Sequence, residues 1–197
     1  MFIDYLALML LNVMAGYFLL ACYVLAALDH ADQTRWAPGF LMTGFVALAF
    51  GAVMSITWPL PGAYSAAYGG MSVLFGIIFL GAGLAMAKGW DLLPVAYYAF
   101  FAGWAAVLIG VRIIHLKLTL APLLSGCGFI LSGLGGVLAA PTLRYLKANR
   151  PFRAIAALVL VAAGVIWGTI AYAEYWHQMQ QFGAWVPLLM RGAHGQP

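Results

Sequence analysis

Charge is what this chain has least of. Its 197 residues include nine Lys or Arg and five Asp or Glu, 7% in all, where an average globular chain carries about 25%. A polar shell around a water-soluble core cannot be built from so few charges. Disordered chains and coiled coils, both rich in charge, are excluded on the same ground. The only cysteines are Cys22 and Cys127, each inside an apolar stretch. That rules out a disulfide-stapled scaffold and reads as two small buried hydrophobes. There is no Walker phosphate loop, no Gly-x-Ser-x-Gly elbow, no His-Glu-x-x-His and no Cys-x-x-Cys. The sequence offers no nucleophile–base pair, so catalysis is the function class it supports least. The net charge of +4 is mostly one short basic cluster, which reads as a membrane-topology signal and not as a nucleic-acid surface.

What fills the chain is apolar. Sixty-five per cent of it is drawn from AVILMFWYC, with a mean hydropathy of +0.99. About 20 apolar residues cross the hydrocarbon of a bilayer as a helix, and six such stretches fit: 5–28, 38–58, 70–87, 92–115, 119–140 and 154–177. The expected fold is an all-α integral membrane bundle of six transmembrane helices over residues 1–181. A short interfacial or partner-contacting tail, 182–197, follows it. The breaks have physical causes. Pro38 suits a first helical turn, Trp58-Pro-Leu-Pro-Gly62 and Pro141 end helices, and Lys88-Gly-Trp-Asp91 and Lys117 separate the later spans. The first span lacks a basic segment before it and is longer than a signal-peptide core, so it reads as a retained helix.

Orientation follows the loop cations. Arg144, Lys147, Arg150 and Arg153 follow the fifth span, and Arg35 and Lys88 fall on the same side. Arg112, Lys117 and Arg191 fall on the other. This predicts an inner (cytoplasmic) membrane protein with the basic loops on the cytoplasmic side and both termini outside. Asp29, His30, Asp32 and Asp91 on the inner side read as a solvated ion-pair network.

Glycines repeat. Gly44 and Gly51 are seven apart, as are Gly103 and Gly110. Gly76, Gly81 and Gly83 share a five-then-two spacing with Gly128, Gly133 and Gly135. Spans two–three and four–five therefore read as a tandem repeat of one hairpin, packed closely through glycine.

Ionisable residues near membrane depth stand out because they are costly there. Arg112-Ile-Ile-His115 ends span four and Glu174-Tyr-Trp-His177 ends span six, each pair three residues apart on one helix face. Asp4 starts span one on the same side. Three readings stay open. The first is an interfacial Arg112–Glu174 ion pair with snorkelling histidines. The second is a haem b or metal site on His115 and His177, since imidazole is the commonest protein metal ligand. The third is a coupling site for transport built on Glu174, Arg112 and Asp4.

Three segments carry a family resemblance: Thr57-Trp-Pro-Leu-Pro-Gly-Ala-Tyr64; Leu74-Phe-Gly-Ile-Ile-Phe-Leu-Gly-Ala-Gly83 with Ala87-Lys-Gly-Trp-Asp91; and Gly128-Phe-Ile-Leu-Ser-Gly-Leu-Gly-Gly-Val-Leu-Ala-Ala-Pro141. In these the chain resembles a prokaryotic membrane family known as domain of unknown function 981, over roughly residues 35–180. The resemblance implies a multi-span membrane protein and supplies no ligand or catalytic residue. The residues themselves favour a non-catalytic membrane subunit or binding module, in contact with lipid and assembled as a homo-oligomer or in a larger membrane complex. The alternative is a small-solute or ion transporter with a path between the hairpin repeats.

Overall fold

The computed structural model describes residues 5–28, 32–60 and 63–182. Six helices occupy them: α1 Leu6–Ala26, α2 Ala37–Thr57, α3 Met71–Lys88, α4 Leu93–Leu116, α5 Pro122–Pro141 and α6 Arg150–Phe182. No strand occurs among the described residues, and all six helices are long and apolar enough to cross a membrane. The tail from residue 183, Asp4, Asp29 and His30 lie outside the described residues.

Helix ends follow local chemistry. A three-residue 3₁₀ turn, Thr34–Trp36, leads into α2, and the Asp32 carboxylate accepts bonds from the Thr34 amide (3.0 Å) and hydroxyl (2.6 Å). Asp91 accepts the Leu93 amide at the start of α4 (3.0 Å), and Asn149 accepts the Phe152 amide at the start of α6 (3.0 Å). Each satisfies an amide that the first helical turn leaves without a partner. Asp32 and Asp91 thus each bond the amide two residues on, and the Arg35 charge also acts on Asp32. At the opposite ends, α2, α3 and α4 stop on left-handed residues, Trp58 (φ 48°), Gly89 (φ 67°) and Lys117 (φ 51°).

Two expected boundaries move outward. A π-helical turn, Ser65–Gly70, precedes α3, and a second, Thr142–Leu146, carries α5 past Pro141. Proline has no amide to donate to the previous turn. The wider turn lets the chain continue, with the Thr142 hydroxyl donating to the Leu138 carbonyl at 2.6 Å.

Packing is strongest within three pairs, α2–α3, α4–α5 and α1–α6, and the looser contacts α1–α2, α3–α4 and α5–α6 close them into a ring. Glycine makes two of these pairs close. In α2–α3, a Cβ on Gly44 would lie 2.9 Å from the Gly76 carbonyl oxygen, and one on Gly51 would lie 3.0 Å from that of Gly69. In α4–α5, Gly103 meets the Gly133 carbonyl at 2.5 Å and Gly110 meets that of Gly126 at 2.6 Å. Gly69 and Gly76 are seven apart, as are Gly126 and Gly133. The contacts thus match Gly76 with Gly133, a different register from the five-then-two spacing. Gly81 instead faces Val95 across the α3–α4 seam, and Gly135 faces Leu160 on α6.

Cys22 and Cys127 lie on the outer surface of the bundle, not in its core. Lipid tails are as apolar as the interior, so a thiol is equally at ease on either side.

Candidate functional site

A cavity of about 230 Å³ lies within the ring. Its wall runs along the bundle axis: from Leu6 on α1 to Leu28 just past its end, and from Tyr68 just before α3 to Met86 on it. At 1.5 Å per residue that is a length of about 30 Å. Along α4 the lining is a ladder of small residues, Ala96, Ala99, Ala102, Gly103 and Ala106. No Asp, Glu, Lys, Arg or His is among the described residues that line the cavity.

Aromatic rings shape the wall. Phe40 and Phe75 both stack on Phe79, with centroids 5.1 and 4.2 Å away. Tyr17 meets Phe75 edge-on. A second group, Tyr68, Phe129 and Trp167, packs edge-to-face at 5.0–6.1 Å, the arrangement aromatic quadrupoles favour. The polar atoms here are paired. Trp167 Nε1 donates to Ser132 Oγ (2.9 Å), and the Ser132 hydroxyl donates to the Gly128 carbonyl (2.6 Å). In hydrocarbon an unmatched polar group is costly, which explains why these few residues sit in pairs.

The outer quartet falls differently. Arg112 and His115 are exposed near the end of α4, and His177 is exposed on α6. Glu174 is half-buried, close enough to Tyr68 for its charge to act on that hydroxyl. Arg112, His115, Glu174 and His177 are not among the residues that line the cavity. The main packing partners of α4 are α3 and α5, and those of α6 are α1 and α5. Among the described residues, no three His, Cys, Asp or Glu side chains gather as a metal site would need.

Arg153 escaped the sequence reading, which counted it as a loop cation. It is 4% exposed. Its Nε donates to the Val24 carbonyl (2.7 Å) and a terminal nitrogen to that of Leu25 (2.6 Å). The guanidinium closes the C-terminal end of α1, where carbonyls lack helical partners and the helix dipole favours a cation. Arg153 lies three residues beyond Arg150, inside the first turns of α6, whereas the expected span began at 154.

No curated protein and no solved structure matches this chain. A family model does, over residues 1–181, and the chain belongs to that family, described as "Protein of unknown function (DUF981)".

Proposed function

We propose that this membrane protein is a non-catalytic binding module whose ligand seat is the central cavity. The observation that carries the reading is an axial void walled by hydrocarbon and aromatic rings without a charged lining residue. Left empty, an apolar void of about 230 Å³ would cost up to about 5.5 kcal/mol at about 24 cal/mol per Å³. An apolar occupant removes that cost. The same wall disfavours the transporter alternative along this axis, since an ion there would lose its hydration with nothing to replace it.

The outer quartet enters this reading as a separate surface site. A bis-histidine haem on His115 and His177 gives a b-type α-band in a reduced-minus-oxidised spectrum, lost in His115→Ala and His177→Ala. A flat spectrum removes haem and leaves the cavity reading intact. Further copies or other membrane subunits belong to the same proposal. The outward aromatic face of α4, with Phe101 and Trp104 exposed, supports it, and native mass in gentle detergent tests it. The end carrying Arg35, Lys88, Arg144, Lys147 and Arg150 is assigned to the cytoplasm by its positive charge.

The test of the main reading is chemical analysis of protein purified in mild detergent. An apolar molecule is expected at close to one per chain. A preparation that repeatedly carries none, and whose Trp167 fluorescence ignores added apolar compounds, overturns it.

A further inference from the structure

The six seams of the ring are not equally closed. In α2–α3 and α4–α5, glycines bring backbone against backbone. Along α1–α6, a Cβ on Gly168 would lie 2.5 Å from Met14 Sδ, and one on Gly164 would lie 3.4 Å from Tyr17 Cβ. The α1–α2 seam is tied by Asn12, whose side-chain amide donates to the Thr43 carbonyl (3.0 Å), and by Gly39 against Leu19 (2.9 Å). The α5–α6 seam is tied by the Trp167–Ser132 bond and by Gly128, where a Cβ would lie 3.1 Å from the Trp167 ring. The α3–α4 seam has none of these ties. Its contact is the sparsest of the six. No hydrogen bond crosses it among the described residues, and a Cβ on Gly81 would still stand 3.5 Å from Val95.

That seam is also thin. Ile77, Gly81 and Leu84 share one face of α3 by helical spacing, and Ile77 and Leu84 are exposed. One position round the helix, Ile78 and Ala82 line the cavity. On α4, Val95 and Ala99 line the cavity, while Tyr98 is exposed. Gly81 brings no side chain, so Val95 closes the gap between cavity and exterior at this level. The exterior here is hydrocarbon, since Ile77, Leu84 and Tyr98 all lie within the candidate membrane spans. Helices in a bilayer are held together by close packing and interhelical bonds, not by a hydrophobic force. The seam with least of both is the one that parts at least cost.

We propose that the α3–α4 seam is a lateral portal: the two helices part between Gly81 and Val95, and the cavity takes its apolar occupant from the bilayer hydrocarbon, not from water. The proposal rests on the binding-module reading above and adds the source of the ligand and its route.

The test uses the full chain in phosphatidylcholine vesicles, carrying Cys22→Ala and Cys127→Ala together with Gly81→Cys and Val95→Cys. A two-carbon bis-methanethiosulfonate reagent bridges the new pair, and a thiol reductant releases it. A small uncharged aryl diazirine is mixed in and flash-irradiated after increasing delays, and labelled residues are mapped by peptide mass spectrometry. Labelling of the cavity residues Phe79 and Ala102 is expected to rise at least tenfold more slowly in the bridged protein and to recover on release. Labelling of Met42, Phe45 and Leu108, which face outward, should not change. The same bridge across α1–α2, made with Leu19→Cys and Gly39→Cys at positions that do not line the cavity, should have no effect. In an otherwise unaltered chain, Val95→Ala should speed cavity labelling about threefold or more. Cavity labelling that keeps its rate when the α3–α4 pair is bridged, or that the α1–α2 bridge slows equally, overturns the portal and leaves the cavity as a binding seat. Labelling confined to outward residues in every form, bridged or not, overturns both this inference and the reading beneath it. If the cysteine variants do not fold, Val95→Ala decides alone, and an unchanged rate overturns the portal.

Discussion

Gly103 on α4 and Gly133 on α5 cross backbone to backbone: a Cβ on either would lie 2.5 Å from the carbonyl oxygen of the other. No side chain tolerates that approach, so an added methyl must push the two helices apart. Gly103→Ala and Gly133→Ala should each destabilise the protein by about 2 kcal/mol or more. Gly44→Ala, on α2 against Gly76, should behave alike. Gly70→Ala, with nothing within 4 Å, should be neutral or stabilising by up to about 1 kcal/mol. Unfolding in mixed micelles compares the four; equal losses would mean that helix approach is not what these glycines provide.

The Arg153 guanidinium is buried against α1. Arg153→Ala should cost about 3 kcal/mol, because it strands the Val24 and Leu25 carbonyls at the end of that helix. Arg153→Lys keeps the charge without the planar fork, so it should recover only part of the loss. Arg150→Ala, three residues away and exposed, should change stability by less than about 0.5 kcal/mol. Thermal unfolding of the three variants is the check, and a harmless Arg153→Ala would refute the cap.

Asp32 carries a pH dependence. The Thr34 hydroxyl and amide bond its carboxylate and hold its pKa below the ordinary value. A carboxylate lowered on folding contributes stability above its unfolded pKa, and loses it as pH falls through the lower folded value. The start of α2 should therefore stay protected at neutral pH and fray only under acid conditions. Amide exchange at Thr34 and the first turn of α2 reads this directly. Asp32→Asn keeps an acceptor but cannot titrate, so it should flatten the acid response; an unchanged response would assign it to another group.

Trp167 donates its indole proton to Ser132 beside the cavity. Trp167→Phe keeps most of the ring packing and removes that donor. The expected loss is about 1 kcal/mol, as for other hydrogen bonds between membrane helices. A loss several times larger would show that ring volume, not the bond, holds α6 to α5.

Much of the fold was written in the sequence. Apolar length gave six spans, and Gly44, Gly51, Gly103 and Gly110 announced close packing by their spacing. Spacing alone cannot tell which side of a helix meets which neighbour, so Gly81 looked equivalent to Gly133 until Gly76 was seen to occupy that place. Arg153 was hidden because a cation near a loop reads as solvated unless the helix start is known to lie ahead of it. The cavity left only a faint trace, the small residues Ala96, Ala99, Ala102 and Ala106 at helical spacing on α4. Small residues face a void or a close neighbour with the same sequence signature. The outer pairs Arg112–His115 and Glu174–His177 were conspicuous as charges. Of the four, only Glu174 acts electrostatically on a residue that lines the cavity, Tyr68, and none of the four lines it.

The central claim is that the ring of helices holds an apolar molecule. The most direct measurement is native mass spectrometry of the wild-type chain, released from mild detergent, beside the variant with Ala102→Leu and Ala106→Leu. The account predicts an added mass on most wild-type chains, identified after solvent extraction as one apolar molecule and absent from the filled variant. Wild-type chains that fly without any adduct, or an adduct that both proteins keep equally, would contradict it.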